Sequence, residues 1–322
     1  MERNFVFQSS SLDGYENLAA DEWFLDHVGS KDLILYFYQN ENAVIIGKNQ
    51  NPWLECDLSR METDGVQLVR RVSGGGAVYH DAENLNFSFI AGEDRYDLDR
   101  QLSLILHAVE SFGISCRFSG RNDLEAGGKK FSGNAFADRR GKKLHHGTLL
   151  VNSDLTQLQN YLTVSPQKIL SKGIDSVRSR VCNLSSFYPG LTVSEVRKAI
   201  IKQFETECGY YSEWLFSERE RKELAEYQKK HRSQLWRLGQ TPKFDLEWNE
   251  RFPWGGIQLL ISFEKGNIAA IHAYSDAMNT RICEEIEKLL VGIPFTERSI
   301  QNALSFSQMP EVKELSNAFS LS

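Results

Sequence analysis

A chain of 322 residues is enough for about two domains at roughly 150 residues each, and it can bury about three quarters of its unfolded surface. Hydrophobic residues at 41%, charged residues at 25%, aromatics at 11% and only seven prolines exclude a disordered chain or a small stapled scaffold. With 37 Lys plus Arg against 43 Asp plus Glu, the net charge of −6 argues against a broad footprint for nucleic acid. The N-terminal residues show no basic region followed by an apolar stretch, and no apolar run approaches the ~18 residues of a membrane span. The expectation is therefore a cytoplasmic protein with no membrane partner. Five scattered cysteines (Cys56, Cys116, Cys182, Cys208, Cys283) include no CxxC pair and read as reduced thiols packed as small hydrophobes.

Along the chain, the first ninety residues alternate short β-rich runs with one good helix. Leu33 to Tyr38, Ala43 to Ile46, Gln67 to Val72 and Leu85 to Ile90 read as strands of a mixed sheet. Apolar Leu102, Ile105, Leu106, Val109 and Phe112 recur at helical spacing from Asp99, ending before Gly113, and predict a helix that covers the sheet. Phe131 to Ala137 and Leu144 to Val151 flank the turn DRRGKK and predict a hairpin with its tip in solvent. Thr192 and Glu195 form a capping box that opens a helix running to about Cys208, and Ser217 caps the next, whose ERERKE run reads as a solvated face. Past residue 240, alternating Phe244, Leu246 and Trp248, then Ile257 to Phe263, then Ile268 to Tyr274 predict a three-strand meander. A helix from about Asn279 to Leu290 would cover its apolar face. A domain boundary is expected at 240 to 243, giving domains 1–242 and 243–322.

Two segments carry unusual residue choices. RRVSGGGAVYHD, Arg70 to Asp81, places three glycines after a strand, so that backbone can approach a ligand and N–H groups can face an anion. It fits neither GxxxxGK[ST] nor the dinucleotide fingerprint. The second, Gly120 to Asn152, is dense in polar groups: Lys129, Lys130, Ser132 and Asn134 precede a hairpin ending at His145, His146 and Thr148. A lysine is a compact charge able to bridge a carboxylate and a phosphate. His145 and His146 are adjacent on a strand, so they face opposite sides and do not make a zinc site. No GxSxG elbow exists, and the cysteines lie outside both segments.

RRVSGGGAVYHD, GRNDL, KKFSGNA and LHHGTLLVN, in this order, resemble the lipoate-protein ligases, and the likeness continues through KGIDSVRSRVCNL at Lys172 to Leu184. The resemblance implies an α+β fold: a mixed-sheet catalytic domain of the biotin/lipoyl protein ligase type with flanking helices, and a small α+β C-terminal accessory domain. It implies an enzyme that converts lipoate and ATP, with Mg2+, to lipoyl-AMP and then acylates a lysine. The implied partners are lipoyl domains of 2-oxoacid dehydrogenase E2 subunits and the glycine cleavage H protein; the enzyme itself is expected to be a monomer. Carried over residue by residue, Lys130 is the catalytic group, neutralising carboxylate and α-phosphate. ATP and adenylate would meet Arg71, Gly76, Ala77, Val78, Tyr79, Asn122, Asp123, Lys130, His146, Gly147 and Thr148. Lipoate would meet Ser73, Gly74, Gly75, His80 and Lys130, and Asp123 would be the Mg2+ partner. Candidates for the acyl pocket are Val44, Val72, Phe87 and Phe89. Ala137 stands where some relatives carry an arginine, with Arg139 and Arg140 as candidates to replace it. The alternatives are an acyltransferase between carrier proteins that needs no ATP, and a noncatalytic lipoyl-domain-binding module. Lipoate-dependent ATP–pyrophosphate exchange separates the three.

Overall fold

The computed structural model describes residues 2–120, 122–163, 181–239 and 243–320. Arg121 of the GRND motif and residues 172–180 of KGIDSVRSRVCNL lie outside them. The chain divides into two compact units, the first made of residues 1–45, 53–70 and 77–237, the second of 46–52, 71–76 and 238–322. The glycine loop thus groups with the C-terminal part of the chain, not with the residues that flank it.

The first unit holds strands β1 (Arg3–Gln8), β2 (Asp32–Tyr38), β3 (Ala43–Ile46), β4 (Gln67–Arg70), β5 (Val78–His80) and β6 (Asn84–Ala91). These are followed by β7 (Cys116–Ser119), β8 (Asp123–Ala126), β9 (Lys129–Arg139), β10 (Lys142–Leu150) and β11 (Ser212–Glu213). Eight of them form one sheet in the order β11-β1-β2-β6-β10-β9-β8-β7, with β1 parallel to β2 and β11 and the rest antiparallel. The small sheet β4-β3-β5 stands apart from it. The helices are α1 (Gly14–His27), α2 (Leu58–Thr63), α3 (Leu98–Glu110), α4 (Val193–Cys208), α5 (Glu218–Arg232) and α6 (Gln234–Leu238), beside several single turns. The capping box of α4 and the Ser217 cap of α5 form as their sequences predict, the latter completed to a box by Glu220, and each Ser or Thr hydroxyl accepts from the third backbone N–H.

The large sheet has two unlike faces. Leu33, Leu35 and Phe37 of β2, Leu85, Phe87 and Phe89 of β6 and Leu149 of β10 form the apolar core with α3 and α4. The alternate residues, Tyr36 and Tyr38, Asn84, Asn86 and Ser88, His146 and Thr148, lie on the other face, where α1 packs against β6 and β10. Most of that polar face is also buried, with Asn84, Asn86 and Ser88 1% exposed or less.

The second unit contains β12 (Leu246–Phe252), β13 (Gly255–Glu264) and β14 (Asn267–Ser275), an antiparallel meander as the alternation predicts. Helices α7 (Arg281–Leu290), α8 (Glu297–Ser305) and α9 (Pro310–Ala318) cover it around a core that includes Leu259, Ile261, Ile282, Ile286 and Phe319. Only the first of these helices is expected from the sequence. The observed α+β architecture, a large mixed sheet with flanking helices and a small antiparallel C-terminal sheet, is the expected one. No helix among the described residues is long and apolar enough to cross a membrane.

Helix α1 is pinned by a buried carboxylate. Glu22, 2% exposed, accepts from Lys230 Nζ at 2.6 Å and from His231 Nε2 at 2.9 Å, both on α5, and from Arg139 Nη2 at 3.0 Å. Burial alone would raise the Glu22 carboxyl, but the hydrogen bonds from His231 and Lys230 outweigh it and hold the group down at about 2. Its folded value lies below the ordinary 4.5, so its contribution is complete above that pH and is lost as the pH falls toward 2. Glu22→Gln should lower the unfolding free energy at neutral pH by about 3–5 kcal/mol. Urea titrations across the acid range should also show the variant losing part of the wild-type acid sensitivity in that window.

Candidate active site

A cavity of about 560 Å³ opens in the first unit on the polar side of the large sheet. Of the residues singled out from the sequence, Ala77, Val78, Tyr79, Asp123, Lys130 and Thr148 line it. Among the described residues Lys130 is the one lysine or arginine in its wall, and its ammonium is 2.7 Å from Asp123 Oδ1. Its backbone is anchored as well, because Lys130 O accepts from Cys182 N at 2.9 Å. Tyr79 stacks on Tyr161 with centroids 5.9 Å apart and donates to Asn42 Oδ1 at 3.1 Å. Burial pushes its phenol up to about 12, so it stays a neutral wall of the cavity at neutral pH.

Other expected residues sit around this wall. Asn122 donates from Nδ2 to Asn134 O at 2.8 Å, while its own carbonyl accepts from Asn134 N at 2.8 Å and Asn134 Nδ2 at 3.0 Å. It therefore ties the turn before β8 to β9. His146 shares a face with Thr148 and donates from Nδ1 to Asp21 Oδ2 at 2.8 Å. His145 points the other way, as adjacency on a strand requires. Burial, helped by the neighbouring His146, holds the His145 imidazole down to about 3, so it is neutral. Its Nε2 lies 2.9 Å from Asn134 Oδ1 and its Nδ1 3.0 Å from Gln101 Oε1. A neutral ring donates to only one of the two, so with Nε2–H donating to Asn134 both contacts are satisfied when the Gln101 amide is turned end for end, which brings its nitrogen, otherwise unpartnered among the described residues, to Nδ1. Gly147 turns toward the same side: a Cβ there would lie 2.6 Å from the Phe87 ring and 2.6 Å from Asn134 Oδ1. His80 is 3% exposed and its Nδ1 accepts from Asn40 Nδ2 at 3.0 Å.

Arg71, Ser73, Gly74, Gly75 and Gly76 belong to the second unit. Arg71 is buried and closes the loop on itself, its Nη2 donating to Gly74 O at 2.6 Å and Gly76 O at 2.8 Å and its Nε to Ser73 Oγ at 3.1 Å. Gly75 takes φ +91° and gives its N–H to Ala277 O at 3.1 Å, and a Cβ on Gly74 would come within 2.4 Å of the carbonyl oxygens of Ala277 and Met278. Close backbone packing within this unit is thus one reason for the glycines, beside any ligand.

Two expectations need correction. Phe87 and Phe89 lie in the core on the opposite face of the sheet from Lys130, and Val44 and Val72 are packed at 0% and 4% exposure without lining the cavity. Strand alternation keeps Phe87 and Phe89 off that cavity, and Val44 and Val72, outside the large sheet, do not line it either, so these four do not form an acyl pocket there. Arg139 does not replace the arginine missing at Ala137, since it pairs with Asp26 at 2.8 Å and Glu22 at 3.0 Å, and Arg140 is exposed at the hairpin tip.

Sequence reasoning passed over Asn84 and Ser153. Both line the cavity, and Asn84 Oδ1 and Ser153 Oγ are buried without a partner among the described residues. An unpaired buried polar atom costs about 1–3 kcal/mol, so each is a candidate ligand contact. The available signal was Asn84-x-Asn86-x-Ser88, a polar row alternating with Leu85, Phe87 and Phe89.

Residues 13–205 match the lipoyl protein ligase A/B catalytic domain, and residues 241–318 match the bacterial lipoate protein ligase C-terminus. The chain belongs to the lipoyl protein ligase A/B family. It is similar over 98% of both chains to LipL1 of P. falciparum, solved in complex with lipoate, at 26% identity and a TM-score of 0.84. It is also similar to the bi-partite lipoate protein ligase of Thermoplasma acidophilum, described with its E2 lipoyl domain. There identity is 31% and the TM-score 0.68, over 76% of this chain and 100% of that one. A lipoate-protein ligase A bound with ATP matches at 31% identity and a TM-score of 0.64, over 74% of this chain and 99% of the other.

The Gly147 environment yields a stability test. Gly147→Ala should cost about 1–3 kcal/mol by overpacking against the Phe87 ring, read as a lower urea midpoint with an unchanged slope.

Proposed function

We propose that this lipoate-protein ligase activates lipoate with ATP to lipoyl-AMP. It then transfers the lipoyl group to a lysine of lipoyl domains of 2-oxoacid dehydrogenase E2 subunits and of the glycine cleavage H protein. The observation that carries the reading is Lys130, the single lysine or arginine among the described residues of a cavity also lined by Ala77, Val78 and Tyr79. Relatives solved with lipoate, with ATP and with an E2 lipoyl domain support it.

A carboxylate and an ammonium form a salt, not an amide, so the carboxylate oxygen must first become part of a good leaving group. In the first step a lipoate oxygen attacks the α-phosphorus of ATP, the bond to the bridging oxygen breaks and pyrophosphate leaves. Two anions must approach, and the Lys130 ammonium neutralises both, exchanging Asp123 for them. In the second step the neutral ε-amine of the acceptor attacks the acyl carbon, the acyl–oxygen bond breaks, AMP leaves and the amine proton passes to water. Asn84 Oδ1 suits an amine or hydroxyl donor of the nucleotide, and Ser153 Oγ can donate or accept. In this reading Arg71 and Gly76 to Tyr79 serve ATP, with Asn122, His146, Gly147 and Thr148 supporting the adenylate. Ser73 to Gly75 and His80 serve the acyl end.

Mg2+ enters this scheme with ATP. Among the described residues no group of three or more His, Cys, Asp or Glu is clustered for a metal, and Asp123 offers one carboxylate. That fits Mg2+, which commonly takes one or two carboxylates and completes its shell with phosphate oxygens and water. A thiol acyl-enzyme is disfavoured, because no cysteine lines the cavity. Burial pushes the Cys182 thiol up, and that of Cys116 to about 12.

Wild-type protein should catalyse lipoate-dependent ATP–pyrophosphate exchange before any acceptor is added. Lys130→Ala should keep the wild-type melting temperature and lose roughly 10²–10³-fold in exchange rate. Retained exchange in that variant would sink the mechanism.

A further inference from the structure

Lys130 and Gly133 are three residues apart in β9, and strict alternation would put them on opposite faces of the sheet. They share one face because the pairing of β8 with β9 skips Phe131: Leu124 faces Ser132, and the next residue, Glu125, faces Lys130. This β-bulge sends Phe131 into the apolar core and returns Lys130 to the cavity.

A Cβ placed on Gly133 would lie 2.8 Å from Lys130 Nζ and 2.9 Å from Lys130 Cε, and no other atom of the described residues beyond its chain neighbours comes within 4 Å. Backbone conformation does not require glycine here, since Gly133 is not among the glycines at positive φ. Its N–H is satisfied by Thr148 Oγ1 at 3.3 Å. The missing side chain is therefore accounted for by one neighbour, the end of Lys130.

We propose that Gly133 is the positioning residue for Lys130: the volume its missing Cβ leaves is where the ammonium is held, beside Asp123 and facing the cavity. The proposal rests on the ligase reading above. Alanine at this position would collide with the free end of a flexible side chain, not with backbone or a ring, so the fold tolerates it while the ammonium moves away. Small displacements of a catalytic charge are expensive: a shift of about 1 Å can cost roughly a hundredfold in rate.

The test compares wild type, Gly133→Ala, Lys130→Ala and the double variant by melting temperature, by lipoate-dependent ATP–pyrophosphate exchange, and by calorimetric Kd for lipoyl sulfamoyl-adenosine, a nonhydrolysable adenylate analogue. Gly133→Ala should melt with wild type, fall about a hundredfold in kcat and bind the analogue roughly tenfold more weakly. In the Lys130→Ala background the same substitution should leave Kd unchanged, because the group it displaces is gone. The proposal is overturned by wild-type kcat and Kd in Gly133→Ala, by equal weakening in both backgrounds, or by a Gly133→Ala protein that does not fold. A wild type without exchange activity would instead overturn the ligase reading, so the two failures are told apart.

Discussion

One skipped residue in the pairing of β8 with β9 underlies the whole candidate site. A regular ladder would turn Lys130 toward the apolar core and Phe131 toward the cavity, a burial error at both positions. The bulge corrects both at once, since Phe131 is 0% exposed in the core and Lys130 meets Asp123 at 2.7 Å. The neighbouring bonds reinforce that arrangement. Cys182 N holds the Lys130 carbonyl, and the Asn122–Asn134 bonds tie the approach to β8 onto β9 a few residues on.

The sheet around it works as a partition. Its core face is largely apolar under α3 and α4, with His145, Asn134 and Gln101 as a buried polar group within it, while its other face buries Tyr36, Tyr38, Asn86, Ser88 and His146. Polar groups in such a setting need partners, and most have them: Tyr36 donates to Asn17 Oδ1 at 3.1 Å and His146 to Asp21 Oδ2 at 2.8 Å. Asp21 Oδ1, Asn84 Oδ1, Ser88 Oγ and Ser153 Oγ stay unpaired among the described residues, and of these four residues Asn84 and Ser153 reach the cavity. Across the hairpin, Glu22 draws Arg139, Lys230 and His231 together and fixes α1 to α5.

The glycine loop is the least intuitive part of the architecture. Arg71 and the glycines that follow it group with the C-terminal residues, and Gly74 and Gly75 pack on the backbone near Ala277. A run of glycines that reads as a ligand cradle also has a packing role. Nothing local in RRVSGGGAVYHD reveals the partner, which is about two hundred residues away in the chain.

The sequence by itself determined the local elements and the family. The capping box at Thr192, the cap at Ser217, the meander after residue 244 and the strands Leu33–Tyr38 and Ala43–Ile46 are written in residue type and period, because capping and alternation act over a few positions. The motif set around Lys130 and the glycines likewise needed no coordinates to point to a lipoyl ligase. Alternation within β6 separates Asn84, Asn86 and Ser88 from Leu85, Phe87 and Phe89 but does not show that the polar face is buried, so Asn84 went unnoticed while Phe87 and Phe89, which lie in the core, were acyl-pocket candidates. Only the tertiary structure decided the bulge at Phe131, the placement of Arg139 on the carboxylates of α1 and the grouping of the glycine loop with the second unit. Each depends on which strand or helix stands opposite, and that is set by pairings between residues far apart in the chain.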